Sequence, residues 1–217
     1  MTLRVALLGG SFDPVHHGHV ALAALFLKLL QADQLRVIPA GSPWQKTGLQ
    51  ASAEDRVAML ALAFAQAAIP ATIDRQEIDR PAPTYTVDTL RNLRAELGPD
   101  ASIVFVMGAD QLQQLDSWRA WRSLFDYAHI GVGARPGFAL SALPPAVAEE
   151  LAKRQGSLAQ LRDTPGGKVY VEDTLAVDVS ATQIRAALQR GEQASSLISP
   201  VVLDYIQQHH LYNDYKA

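Results

Sequence analysis

The 217-residue chain contains no cysteine. That single absence excludes a disulfide framework, a thiolate zinc site and a cysteine nucleophile, so any chemistry must use other groups. An excess of positive charge is also missing. The formal charge of -3 argues against a broad nucleic-acid-binding surface while allowing a local cationic pocket, and small anionic substrates fit it better than DNA. No apolar run approaches the roughly 18 to 20 residues that cross a bilayer, and the N-terminus lacks a basic stretch followed by a signal-like core and cleavage site. The expectation is a cytoplasmic protein with neither a nucleic-acid nor a membrane partner. Internal repeats, low-complexity tracts, a G-x-G-x-x-G fingerprint and a G-x-x-x-x-G-K-[ST] loop are absent as well.

What is present is Gly9-Gly10-Ser11-Phe12-Asp13-Pro14-Val15-His16-His17-Gly18-His19, set between the apolar run Leu3 to Leu8 and an apolar helical segment. It reads as a strand, a glycine turn and a helix N-terminus. Adjacent glycines allow close approach of the backbone to a ligand, and the first helical turn offers unpaired N–H groups and a positive dipole end. This suits phosphate. His16 and His19, three apart, share a helix face there and can both donate to phosphate oxygens.

Short apolar runs at Arg4 to Leu8, Leu35 to Ile38, Ile103 to Met107, Ala128 to Val132 and Val169 to Val171 read as strands. Helical patterns lie between and after them, at His19 to Gln31, Ala53 to Ala68, Val87 to Leu97, Pro145 to Arg154, Thr182 to Arg190 and Pro200 to His209. The alternation predicts an α/β fold with a doubly wound parallel sheet, and the near-continuous apolarity of the strands predicts helices on both faces. Ser52 is expected to cap the second helix and Thr84 or Thr86 the third, which Gly98-Pro99 should end. One domain is expected over 1–217, with 180–217 as a helical C-terminal portion. Four loops follow predicted strands: the glycine turn, Gly41 to Gly48, Gly108 to Asp110 and Gly133 to Gly137. In such sheets they can line one cleft where the strand order reverses.

Several side chains carry two readings at this level. Lys46, in Pro43-Trp44-Gln45-Lys46, is a phosphate ligand or a solvated surface lysine. Asp110, in Gly108-Ala109-Asp110, can accept from ribose hydroxyls, orient backbone donors, or cap the following helix. Trp118 offers a flat surface for a pyridine ring, or joins Trp121 and Phe125 in an apolar helix face. Ser180 should cap a helix whose first turn, with Thr182 and Arg185, faces an anion. His209, His210 and Tyr212 suggest packing or capping of the last helix.

The His-x-Gly-His segment resembles the signature of the nucleotidyltransferase superfamily that shares it. Thr84-Tyr85-Thr86-Val87-Asp88-Thr89-Leu90, Gly108-Ala109-Asp110 with Trp118, Arg135-Pro136-Gly137 and Val179-Ser180-Ala181-Thr182-Gln183-Ile184-Arg185 follow in the order seen in bacterial nicotinate-nucleotide adenylyltransferases. The resemblance runs from Leu3 to about Tyr212. It implies a Rossmann-like nucleotidyltransferase fold and an enzyme that joins ATP and nicotinic acid mononucleotide into nicotinic acid adenine dinucleotide, releasing pyrophosphate. His16, His19, Lys46 and Arg185 would be catalytic, supplying fixed positive charge with two helix N-termini and a magnesium ion carried on the ATP phosphates. Gly9, Gly10, Ser11, Phe12, His16, His19, Gly108, Asp110, Ser180, Thr182, Ile184 and Arg185 would bind ATP. Lys46, Tyr85, Thr86, Trp118 and Arg135 would bind the mononucleotide, with Tyr85 and Thr86 donating to its carboxylate. Ala181 departs from the family stretch and lacks the hydroxyl that a side-chain contact there would need. Alternatives are an adenylyltransferase acting on nicotinamide mononucleotide or phosphopantetheine, and a non-catalytic nucleotide-binding module. A homo-oligomer is compatible with the sequence, which does not determine the oligomeric state.

Overall fold

The computed structural model describes residues 2–41, 49–134, 136–175, 179–192 and 194–212. Lys46 and Arg135 lie outside the described residues. The strands are β1 (Arg4–Gly10), β2 (Gln34–Pro39), β3 (Thr72–Ile73), β4 (Ser102–Gly108), β5 (His129–Gly133) and β6 (Val169–Glu172). The helices are α1 (His17–Leu30), α2 (Ala53–Gln66), α3 (Thr86–Leu97), α4 (Leu124–Tyr127), α5 (Pro145–Arg154), α6 (Leu158–Asp163), α7 (Ala181–Gln189) and α8 (Pro200–Gln208). Two 3₁₀ segments, Ala109–Ser117 and Trp121–Ser123, separate β4 from α4.

The strands form one sheet in the order β3-β2-β1-β4-β5-β6, and every pairing is parallel. Its interior strands follow the two-residue period of a sheet covered on both faces. Ala6, Leu8, Val104 and Val106 pack on one side with Phe26 and Leu30 of α1, Met59 and Leu60 of α2, and Val202 and Ile206 of α8. Leu7, Ile103, Phe105 and Met107 pack on the other with Leu90 and Leu93 of α3, Phe125 of α4 and Val147 and Leu151 of α5. The chain winds outward from β1 through β2 to β3, returns to β4 beside β1, and winds outward again to β6. Strand order therefore reverses between β1 and β4. At their carboxyl ends stand Gly9-Gly10 and Gly108-Ala109-Asp110, as the loop argument anticipates.

Ser52 caps α2 by accepting from the Asp55 N–H at 3.1 Å, and Gly98 ends α3 with a positive φ of 85° and ψ 171°, a conformation open to glycine. Other expectations need correction. The N-cap of α3 is Tyr85, without a side-chain cap bond; Thr84 lies before it and Thr86 is the first helical residue. The glycines do not turn: β1 runs through Gly10, and the reversal is made by Ser11 to Val15, where Phe12 has φ 50° and the Asp13–Pro14 bond is cis. Trp118, Trp121 and Phe125 do not share one helix, because Trp118 has extended backbone, with φ -74° and ψ 141°. The two-residue β3, paired to Arg36 and Val37, and the six-residue α6 are too short for a periodic signal.

Candidate active site

A cavity of about 690 Å³ opens at the carboxyl edge of the sheet, a volume suited to small-molecule ligands. Gly9, Gly10, Ser11, Ala40, Gly108, Ala109, Asp110, Gly133, Ala134, Pro136 and Gly137 contribute to its wall. Residues flanking all four expected loops thus meet in one cleft.

At the floor, α1 begins with His16 as N-cap in extended backbone, φ -146° and ψ 172°. His19 is three residues on. Their rings stack with centroids 3.6 Å apart and planes 21° from parallel. The His16 N–H donates to His19 Nδ1 at 3.2 Å. An accepting Nδ1 puts the proton of the neutral His19 ring on Nε2. The His16 ring is buried, and its Nδ1 has no hydrogen-bond partner. The same side chain faces the His19 backbone N–H in a reciprocal capping box at the start of α1. Burial, reinforced by the neighbouring His17 and opposed by Asp110, pushes the His16 pKa down to about 4. This corrects the expectation of fixed positive charge there: at neutral pH His16 is an uncharged ring, which can still donate.

The turn behind the histidines is held by a buried polar network. The Asp13 carboxylate accepts from the N–H groups of Gln50 at 2.9 Å and Ala51 at 3.0 Å, and from the Tyr212 hydroxyl at 2.8 Å. Arg185 donates to the Asp13 carbonyl at 2.7 Å. Arg56, 1% exposed, donates through one nitrogen to the carbonyls of Ser11 at 2.9 Å and Ala40 at 2.7 Å. Burial, and then the Asp13 charge, push the Tyr212 hydroxyl pKa up, so it stays a proton donor. Asp13 therefore ties the histidine loop to the chain entering α2, to α7 and to the C-terminal residues. Tyr212, expected only to pack or cap, has this connecting part.

Ser180 caps α7 as expected, accepting from the Gln183 N–H at 3.2 Å, and lines the cavity. The other ATP-side expectations divide. Phe12 and Ile184 are corrected to core residues, both 0% exposed. Thr182 and Arg185 do not line the cavity; Arg185 reaches Asp13 and lies 3.4 Å from the Thr182 hydroxyl. Asp110 lines the cavity in the first turn of the 3₁₀ segment and accepts from Gln111 at 2.6 Å.

At the opposite end, Tyr85, Thr86 and Trp118 line the wall. Trp118 is half-buried, edge-on to Phe105 with centroids 6.3 Å apart, whereas Trp121 and Phe125 belong to the core. Four more residues line the same end: Glu77 and Arg119, which the sequence did not single out, and Thr84 and Thr89, which it gave only as a possible cap or as part of the Thr84 to Leu90 stretch, without a site role. The Arg119 guanidinium lies 4.6 Å from the Tyr85 ring centre, a cation–π contact. Its position beside Trp118 was the available signal. Glu77 had none: it is brought in because Gly41 packs against its carbonyl, where a Cβ would come within 1.9 Å of the oxygen. Among the described residues, no group of three or more His, Asp or Glu side chains could hold a metal ion. No helix among them is long and apolar enough to cross a membrane.

The cytidylyltransferase-like family model matches residues 7–187. A protein of Herminiimonas arsenicoxydans named "Probable nicotinate-nucleotide adenylyltransferase" is 60% identical over 214 residues, 98% of each chain. One of the same name from Laribacter hongkongensis is 46% identical over 97% of this chain and 94% of its own. The solved Plasmodium falciparum nicotinic acid mononucleotide adenylyltransferase complexed with NaAD shares the fold, with a TM-score of 0.76 at 18% identity over 97% of both chains. With the doubly wound sheet, the histidine pair at its switch point and these relatives together, the chain belongs to the cytidylyltransferase-like family and, within it, to the nicotinate-nucleotide adenylyltransferases.

Proposed function

We propose that this chain transfers the adenylyl group of ATP to nicotinic acid mononucleotide, giving nicotinic acid adenine dinucleotide and pyrophosphate in NAD biosynthesis. The observation that carries this reading is the identity of 60% with a named relative along 98% of both chains. The stacked His16 and His19 rings, at a helix N-terminus in the cavity floor, suit the chemistry.

In that reaction the 5′-phosphate oxygen of the mononucleotide attacks the α-phosphorus of ATP. The new P–O bond forms as the bond to the β-phosphate breaks, and the electron pair leaves with pyrophosphate. The nucleophile is already an anion near neutral pH, so no residue need remove a proton. The protein's task is to align two polyanions and stabilise charge on the leaving group. In the first turn of α1 the His17 N–H is held by the Leu197 carbonyl and the His19 N–H by the His16 carbonyl, both at 3.0 Å, so the donors assigned to phosphate oxygens are the Gly18 N–H and the Nε2–H of His19, with His16 donating through a ring nitrogen that meets one. Lys46 is assigned the remaining positive charge, and Arg185, held at the Asp13 carbonyl and not part of the cavity wall, adds to it from behind the histidine turn. Magnesium enters as part of the MgATP substrate. Trp118 is assigned to stack on the pyridine ring, with the first-turn N–H groups of α3 and the Thr86 hydroxyl donating to its carboxylate. We assign the enzyme to the cytoplasm.

A carboxylate accepts at both oxygens, whereas a carboxamide turns its NH₂ toward one of those donors and leaves it unpaired. A buried unpaired donor costs about 1 to 3 kcal/mol, or roughly a tenfold to hundredfold preference for the acid. Pyrophosphate release measured in parallel with nicotinic acid and nicotinamide mononucleotides tests this. The acid should be preferred, and Thr86→Ala should erode the preference only in part because backbone donors remain. Comparable kcat/KM values would reassign the chain to dual or amide specificity.

A further inference from the structure

Among the described residues, two carboxylates, Glu77 and Asp110, contribute to the wall of a cavity read here as holding two polyanionic nucleotides. A carboxylate in such a place repels its ligands unless it accepts hydrogen bonds from them. The hydrogen-bond donors these substrates bring are few: the adenine amino group and the hydroxyls of two riboses. Two carboxylates thus face two vicinal diols.

Their surroundings separate them. Asp110 is close enough to His16 to raise that ring's pKa, which puts it on the side of the histidine pair and the glycine strand end. Glu77 stands against α3 instead. Thr89, 2% exposed, donates from its hydroxyl to Glu77 Oε1 at 2.7 Å, which fixes the carboxylate and leaves Oε2 to accept. Thr84, 4% exposed and part of the same wall, has a buried hydroxyl without any hydrogen-bond partner. An acceptor-only group and an orphaned hydroxyl thus border the cavity beside Tyr85, Thr86 and Trp118.

We propose that Glu77, positioned by Thr89 and assisted by the Thr84 hydroxyl, binds the ribose hydroxyls of the acceptor mononucleotide and makes the enzyme select a ribonucleotide. This rests on the reading that a pyridine mononucleotide is the acceptor, but not on whether that ring carries an acid or an amide. The carboxylate accepts from the 2′- and 3′-hydroxyls, and Thr84 donates to or accepts from one of them. Phosphate binding is left to the other end of the cleft.

The test compares nicotinic acid mononucleotide with its 2′-deoxy and 3′-deoxy forms, using unmodified protein and Glu77→Ala. Hydrogen bonds to a charged group predict that the unmodified protein discriminates against at least one deoxy form by about tenfold to a hundredfold in kcat/KM. Glu77→Ala should lose a similar factor on the ribose form, no longer discriminate, and keep its KM for ATP within about twofold. Equal use of ribose and deoxy forms by unmodified protein overturns the proposal, as does undiminished discrimination by folded Glu77→Ala. Should that variant not fold, Glu77→Gln and the deoxy series on unmodified protein decide, since Gln keeps the volume but cannot accept from both hydroxyls. Calorimetric titration of the three mononucleotides without ATP separates the two readings. Discriminating binding without turnover keeps the ribose contact and overturns the catalytic assignment; turnover without discrimination does the reverse.

Discussion

The two ends of the cleft are built on different principles. At the histidine end, Asp13, 2% exposed, and Arg56, 1% exposed, are buried ionisable groups with hydrogen bonds to loops distant in sequence. At the Thr84–Trp118 end, the half-buried Trp118 leans on the buried Phe105 and the half-buried Tyr85 on the exposed Arg119. A buried polar network tolerates little displacement, because each lost partner leaves an uncompensated group. Aromatic and cation–π contacts lose energy gradually as they shift. The difference suits the division of labour: phosphates need exact placement for in-line attack, whereas a ring needs a surface to lie on.

The largest effect should come from breaking the histidine end. Arg56→Ala leaves the Ser11 and Ala40 carbonyls without their donor and opens a void, which should cost about 3 kcal/mol or more of stability. Arg119→Ala, at the other end, should cost no more than about 1 kcal/mol. Denaturant unfolding of both variants checks the pair, and similar losses would erase the distinction.

Acidification probes the same end. His16 titrates near pH 4 in the folded protein and near its ordinary value of about 6.5 unfolded. Between those values the unfolded chain binds more protons, so stability falls as pH drops from about 6.5 to about 4, with roughly 3 kcal/mol at stake for this ring. Burial lowers the His129 pKa too, giving a loss of the same sign. His16→Gln should therefore reduce, but not abolish, the difference in unfolding free energy between pH 7 and pH 4.5. An unchanged difference would mean the ring is not held neutral.

His19→Ala should retain the fold and lose on the order of a hundredfold in kcat, the usual result of removing one donor aimed at developing charge. Near-unmodified turnover in the folded variant would take His19 out of the reaction. The smallest of these effects is expected at the aromatic end. Trp118→Ala should weaken mononucleotide binding about tenfold with ATP affinity nearly unchanged, as expected when one ring loses its stacking partner. Calorimetry with each ligand separately measures this, and equal weakening of both would make Trp118 a packing residue.

Much of this molecule was legible in one dimension. The apolar runs that became β1, β2, β4, β5 and β6 could be recognised because a strand covered on both faces needs continuous apolarity, a property of neighbouring residues. The Ser52 and Ser180 caps, the Gly98 stop and the α5 span from Pro145 to Arg154 are local in the same sense. The His-x-Gly-His spacing similarly encoded two rings at one helix start. Where the reading failed, the deciding force lay elsewhere in the chain. Phe12 and Ile184 looked like parts of a binding motif, yet their side chains fill the core while neighbouring residues face the cleft. The Trp118 segment carried a helical spacing, but the 3₁₀ path before it turned Trp118 to the cavity and left Trp121 and Phe125 inside.

Sequence by itself determined the doubly wound parallel class and five of the six strands, because periodicity and turn residues act over a few positions, whereas the order β3-β2-β1-β4-β5-β6 was set by packing. Only tertiary structure decided the electrostatics and the second rank of the site. The neutrality of His16 follows from burial by elements that its own segment does not contain. Glu77 meets Thr89 across 12 positions, Arg56 meets Ser11 across 45, and Tyr212 meets Asp13 across 199. No local pattern records such encounters, since they exist only once the hydrophobic faces of the elements have packed and carried these polar groups out of water.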